Sequence, residues 1–283
     1  TGKTIVALHR AVRLAADPDA RVLVTTFNRR LALLLRKKLP LIASPDVLDR
    51  ITVEDLGSVI IRLYAERFGA VEIVDEATLR SFLEEAALEA GIEVDPDFLF
   101  DEWTLIVDAW AVSNVESYRE LPRLGRKQRM VASRREALWS VFERVRARLA
   151  REGLVTEAGC AHALRSAGQL PFSHAIVDEA QDITVAELML LGSALGDRKN
   201  RLFFAGDIGQ RIFRAPFPWA SAGVDVRGRS RGRKVNYRTS HQIRRQSDNL
   251  LPETLVEADG AEESRLGVTS VFDGPPPIIR VFN

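Results

Sequence analysis

The sequence predicts an α/β fold, a parallel sheet with helices on its faces, interrupted by a helical insertion. Three observations carry this. Short β-rich apolar runs alternate with helical stretches in residues 1–69 and again after residue 153, the order of elements that builds βαβ units. Between about 70 and 152 the helical period continues and strand signals vanish. A composition of 46% apolar and 28% charged residues describes a soluble chain that forms a core.

Taken in order, residues 5–16 read as a helix. Arg21 to Phe27 is a β-rich run placed after the turn signal Asp17-Pro18-Asp19. A helix from about Arg29 to Leu39 follows, then a loop around Pro45, a strand at Arg50 to Val53 and a helix over 54–67. The insertion is acidic in its first half (Glu72, Glu76, Glu84, Glu85, Glu89) and basic in its second (Arg123 to Arg151). That asymmetry suits either a solvated bundle surface or a basic face turned toward a polyanion. Strands are then predicted at His174 to Val177 and Arg201 to Ala205, with a helix over 184–196 between them. An irregular stretch with Pro216 and Pro218 leads to the basic run Arg227 to Lys234, which is either a phosphate-contacting loop or a solvated connector. A helix from about Ser240 to Leu251 follows. The apolar end, Ile278 to Phe282, reads as one more strand.

The bulk numbers exclude several function classes. With 283 residues, two domains or one domain with a large insertion are expected. A net charge of +1 provides no global attraction to nucleic acid or membrane, so any such surface must come from local segregation. The single cysteine, Cys160, rules out an internal disulfide framework and fits a reducing cytoplasm; a small buried apolar role suits it best. No apolar run is long enough to span a bilayer.

Four short phrases carry chemistry. Thr1-Gly2-Lys3-Thr4 matches the tail of the phosphate loop G-x-x-x-x-G-K-[ST], in which backbone N–H groups and a lysine hold phosphates and a hydroxyl takes Mg²⁺. The broken loop and the absence of an initiator Met predict a fragment. His174-Ala-Ile-Val-Asp178-Glu179-Ala-Gln-Asp is an apolar strand ending in a carboxylate pair. Such a pair serves either as a helix-start cluster or as a Mg²⁺ ligand followed by a base for water. Phe203-Phe-Ala-Gly-Asp-Ile-Gly-Gln210 ends a strand with a glutamine able to report on a γ-phosphate. Val235-Asn-Tyr237-Arg238-Thr joins an aromatic face to a guanidinium suited to phosphate oxygens.

In this order, and with D-E-x-Q-D followed by G-D-x-x-Q and N-Y-R, the chain resembles superfamily 1 DNA helicases of the UvrD/Rep/PcrA type. The resemblance covers nearly the whole chain, with the insertion only loosely matched. It implies a RecA-like P-loop NTPase fold in which 1–69 and 153–232 form the first motor domain. Residues 70–152 would be its helical insertion, and 233–283 the start of a second RecA-like domain. It implies ATP and Mg²⁺ as cofactors and single-stranded or partial duplex DNA as partner. By the resemblance, Thr1, Gly2, Lys3 and Thr4 bind nucleotide, Thr4 and Asp178 hold the metal, and Glu179 is the catalytic base. Gln210 senses the γ-phosphate, Tyr237 stacks on adenine, and Arg238 reaches the γ-phosphate from the second domain. Thr26, Phe27, Asn28 and Thr52 would contact DNA.

The departures matter as much. Ala215 stands where the family places a DNA-stacking Trp, and Trp219 follows four residues later as the candidate replacement. Phe213 and Phe217 are further stacking candidates whose alternative is core. The resemblance implies a 3′-to-5′ helicase or translocase in repair or recombination. The competing expectation is an ATP-gated DNA-binding regulatory subunit, joined to a nuclease, that does not unwind.

Overall fold

The computed structural model describes residues 2–121, 130–196, 199–206, 217–229, 235–237, 239–249, 254–256, 262–264 and 269–278. The chain divides into two compact units, one of residues 1–54, 172–183 and 198–283, the other of 55–171 and 184–197.

The first unit is built on helix α1 (Lys3–Leu14), strand β1 (Val22–Thr26), helix α2 (Arg29–Lys38), the short α3 (Pro45–Leu48) and β2 (Ile51–Asp55). After a long excursion the chain returns as β5 (His174–Asp178) and β6 (Leu202–Ala205). The four strands form one sheet in the order β2-β1-β5-β6, with β1 and β6 both parallel to β5. All five residues of β1, Val-Leu-Val-Thr-Thr, are buried, which explains why no charged residue alternates with its apolar ones: a parallel strand covered on both faces has no side turned to water. Helix α1 packs on β1, β5 and β6. Its buried positions Ala7, Leu8 and Ala11 recur at helical spacing, and they meet Val22, Val24 and Ile176 in the core. Asn28 starts α2 by accepting a hydrogen bond from the Leu31 N–H at 2.8 Å.

Later in this unit the two-residue β7 (Val235–Asn236) pairs parallel with β10 (Thr269–Ser270), and helix α11 (His241–Asp248) is capped by Ser240. The short β8 (Thr254–Val256) and β9 (Glu262–Ser264) form an antiparallel pair. Ile278 is exposed and has no regular structure; residues 279–282 of the predicted last strand lie outside the described residues.

The second unit is helical. It comprises α4 (Leu56–Phe68), α5 (Glu76–Glu89), α6 (Pro96–Glu102), α7 (Val115–Glu120), α8 (Ala132–Glu152), α9 (Glu157–Ala167) and α10 (Val185–Leu195). A π-helical turn, Trp103–Val107, continues α6. Asp55, Asp75, Asp95, Asn114 and Thr156 cap α4, α5, α6, α7 and α9 in turn, and Thr184 with Glu187 makes a reciprocal capping box on α10. Helix α9, which the sequence reading left unassigned, packs against both α4 and α10. The helical stretch is not free of strand: β3 (Glu72–Ile73) pairs parallel with β4 (Leu154–Val155) where the chain enters and leaves it. Two residues are too few for a period of two to register in the sequence.

The core of this unit is aromatic. Tyr118 lies edge-on to Phe142 at 5.7 Å, Trp103 meets the same ring at 5.8 Å, and Tyr118 donates its hydroxyl hydrogen to the buried Glu102 carboxylate at 2.6 Å. Helices α5 and α8 settle much of the charge asymmetry. Arg148 of α8 reaches Glu85 of α5 at 2.6 Å, and Arg144 reaches Glu89 at 3.2 Å. Arg119 pairs with Glu136. For these residues the segregation of sign is helix-to-helix pairing, as a solvated bundle surface requires. Arg123, Arg126, Lys127 and Arg129 lie outside the described residues.

Candidate active site

Because β1, β5 and β6 run parallel, their carboxyl ends emerge at one edge of the sheet, where open α/β sheets present ligand-binding side chains. Asp178 is the last residue of β5, in register with Ala205 at the end of β6, and Thr25 of β1 is in register with Val177. The amino end of α1 comes to the same edge. Gly2 precedes this helix with φ 80°, a left-handed conformation that a Cβ would oppose, so the residue before Lys3 is glycine for a conformational reason. The turn it makes puts Thr4 against β5: the Thr4 hydroxyl donates to Asp178 Oδ2 at 2.7 Å.

Asp178 is almost wholly buried. Burial pushes its carboxyl above the usual range and the neighbouring Glu179 pushes the same way, while the Thr4 hydrogen bond and the Lys3 charge oppose them. Glu179 has φ 55° and ψ 42°, a left-handed backbone uncommon for a residue with a side chain and the kind of local strain that collects at functional sites. Its Oε2 accepts from Gln181 Nε2 at 2.8 Å. Gly206, which follows β6, lies so close to this turn that an added Cβ would stand 2.8 Å from Gln181 Oε1, 3.1 Å from Gln181 N and 3.2 Å from Ala180 N. Neither Gln181 nor Gly206 was given a role from sequence. Their signal was membership of the quoted motifs, with nothing local to say that the two touch.

Lys3, Thr4, Asp178 and Glu179 are thus brought together from distant parts of the chain. The other predicted residues are placed less uniformly. Phe27 follows β1 and is 48% exposed, while Asn28 is exposed and spends its amide oxygen on the α2 cap. Thr26 is buried, and among the described residues its hydroxyl has no hydrogen-bond partner. Thr52 is the second residue of β2 and half-buried. Tyr237 is 59% exposed. Trp219, expected as a stacking surface, is packed inward: it is 5% exposed and its ring meets Phe204 edge-on at 4.6 Å. An indole filling the core beside β6 presents no face to a base, so the core alternative describes Trp219 here. Thr1, Gln210, Phe213, Ala215 and Arg238 lie outside the described residues. Of the basic run, Arg227 grips both carboxylate oxygens of Asp225, at 2.9 and 2.8 Å, and holds that carboxyl well below the usual range.

The family model described as the UvrD/REP helicase N-terminal domain matches residues 1–216. The chain belongs to the UvrD/REP helicase family. No curated protein matches it significantly. Membership places this UvrD/REP-type chain in the class of ATP-hydrolysing DNA helicases, proteins that use a nucleotide and a metal ion and act on DNA. The residues present fit Mg²⁺. A hydroxyl and a carboxylate, both hard oxygen donors, face one another at the sheet edge, and a magnesium ion carried on phosphates needs only one or two protein oxygens. Among the described residues no group of three or more His, Cys, Asp or Glu side chains forms a metal cage. No described helix is long and apolar enough to cross a membrane.

Proposed function

We propose that this chain carries the ATP-hydrolysing half of a 3′-to-5′ motor on single-stranded DNA, working in DNA repair or recombination. The observation that supports it most is the direct contact of Thr4 with Asp178, which brings a phosphate-loop hydroxyl and a strand-end carboxylate, the two oxygens a shared magnesium ion would use, to one point of the sheet edge. In this reading Gly2, Lys3 and the first N–H groups of α1 hold the β- and γ-phosphates of ATP, aided by the positive end of the helix dipole. Thr4 and Asp178 hold Mg²⁺, which when bound neutralises charge on the phosphates. Glu179 takes a proton from water as the water oxygen bonds to γ-phosphorus; the bond from phosphorus to the β–γ bridging oxygen breaks, leaving ADP and phosphate. The raised Asp178 carboxyl suits this role: a buried, costly charge is one that a bound cation would relieve.

Gln210 and Arg238 are assigned to the γ-phosphate and Tyr237 to the adenine ring, with residues 233–283 beginning the domain that closes over it. Residues 70–152 are assigned to the helical insertion of the first motor domain. Phe27, exposed beyond β1, is the best-supported stacking ring for DNA.

The deciding experiment measures ATP turnover by the intact protein with and without single-stranded DNA, followed by strand separation on a partial duplex with a 3′ tail. Turnover stimulated by DNA together with unwinding is expected. Stimulation without unwinding would replace the motor with an ATP-gated DNA-binding subunit, and turnover indifferent to DNA would sink both.

A further inference from the structure

Resting on that reading, we infer that Gln181 is a positioning residue for ATP hydrolysis, holding the Glu179 carboxylate in place, and that Gly206 is small because the Gln181 amide must fit beside it. Three observations converge. Glu179 sits in a left-handed backbone conformation, and such a residue keeps its place only when its surroundings hold it there. The Gln181 amide donates to Glu179 Oε2 at 2.8 Å and lies 3.4 Å from Asp182 Oδ2, from a side chain only 7% exposed. The far side of the same amide is closed by Gly206, where any Cβ would meet two backbone nitrogens of the turn as well as Gln181 Oε1. Backbone cannot move aside as a flexible side chain can.

The chemistry explains why the residue is glutamine. A neutral amide gives a carboxylate a directed donor without adding a charge that would compete with the phosphates for it. It leaves the second carboxylate oxygen of Glu179 to take a proton from water. Gly206 also continues into residues 207–216, where Gln210 is assigned to the γ-phosphate, so the packing ties the end of β6 to the base.

The test uses the intact protein with saturating single-stranded DNA, and reads kcat, KM for ATP, affinity for a fluorescent ATP analogue and thermal unfolding. Gln181→Met keeps the volume and removes the donor. Its kcat is expected to fall by about 10²-fold, the cost of a misplaced catalytic group, with analogue affinity and KM within about twofold of the parent. Gly206→Ala should reproduce the fall by displacing the amide. Wild-type kcat in Gln181→Met, or a fall matched by equal losses of analogue binding and thermal stability, overturns the inference. Glu179→Gln serves as the reference. If that variant hydrolyses ATP normally, the assignment of the base is wrong; if it is inactive while Gln181→Met is not, only the positioning role is lost.

Discussion

Thr4 donates its hydroxyl hydrogen to Asp178 Oδ2 across 2.7 Å, although 174 positions separate them in the chain. The bond joins the two oxygens proposed to hold magnesium, and the Thr4 oxygen, which gives its hydrogen to Asp178, keeps its lone pairs for a cation that Mg–ATP would bring. Thr4→Ala should weaken the affinity for an ATP analogue by about tenfold or more in the presence of Mg²⁺ and much less in its absence. Thr4→Ser, which keeps the hydroxyl, should behave as the parent. A magnesium titration of analogue binding reads both, and equal losses with and without the ion would mean that Thr4 serves the loop alone.

Glu179 follows Asp178, the proposed metal ligand, in a left-handed backbone conformation, and its carboxylate accepts a hydrogen bond from the Gln181 amide. Glu179→Gln should retain ATP binding and lose hydrolysis by about 10²–10⁴-fold, the range of a general base. Binding of the analogue and single-turnover hydrolysis separate the two effects.

The helical unit contains a half-buried acid with no part in the proposed chemistry. Asp108 accepts from the Thr156 hydroxyl at 3.1 Å, and burial pushes its carboxyl up to about 6 despite that bond and the nearby Arg146. The folded state therefore favours the protonated form. The stability this contributes is complete below pH ~4, the ordinary carboxylate value, and is lost as pH rises through about 6. Asp108→Asn should be the more stable protein above pH 6, by about 2–3 kcal/mol, with the advantage fading toward pH 4. His162 works in the opposite sense. Burial lowers its imidazole, whose Nε2 faces the carbonyls of Asp108 and Ala109, so its contribution is lost as pH falls. Both proteins carry that histidine, so the difference between their urea midpoints across pH 4–8 isolates Asp108.

Tyr118 and Glu102 are both fully buried in the core of the same unit. Tyr118→Phe removes one donor from a carboxylate in low dielectric and should cost about 2 kcal/mol in urea unfolding. DNA-stimulated ATP turnover at a temperature well below unfolding should be unchanged.

Some of this protein was written plainly in its sequence. β1 and β5 are apolar runs bounded by turn signals, and each folds within a residue or two of the expected range. The carboxylate pair at 178–179 and the Gly2-Lys3-Thr4 turn could be read because a motif is a local pattern whose chemistry depends on near neighbours. Helix α9 escapes a reading of the sequence although Thr156 caps it and Gly168 closes it, because its buried stripe is only Cys160, Ala161 and Leu164, too small and too short to register as an apolar period. The charge asymmetry of residues 70–152 was visible while its partners were not, since an Arg148–Glu85 pair exists only once α5 and α8 lie side by side.

Period, caps and motif residues act over a few positions, and they were enough to determine the α/β class and the parallel strands and to single out the residues proposed to bind nucleotide. Tertiary structure alone decided that Thr4 meets Asp178, that Glu179 takes a left-handed backbone, that Gln181 is wedged against Gly206, and that Trp219 turns inward onto Phe204. Each of these depends on which strands lie adjacent and on which side chains can leave water together, and burial of that kind is shared among residues far apart in the chain.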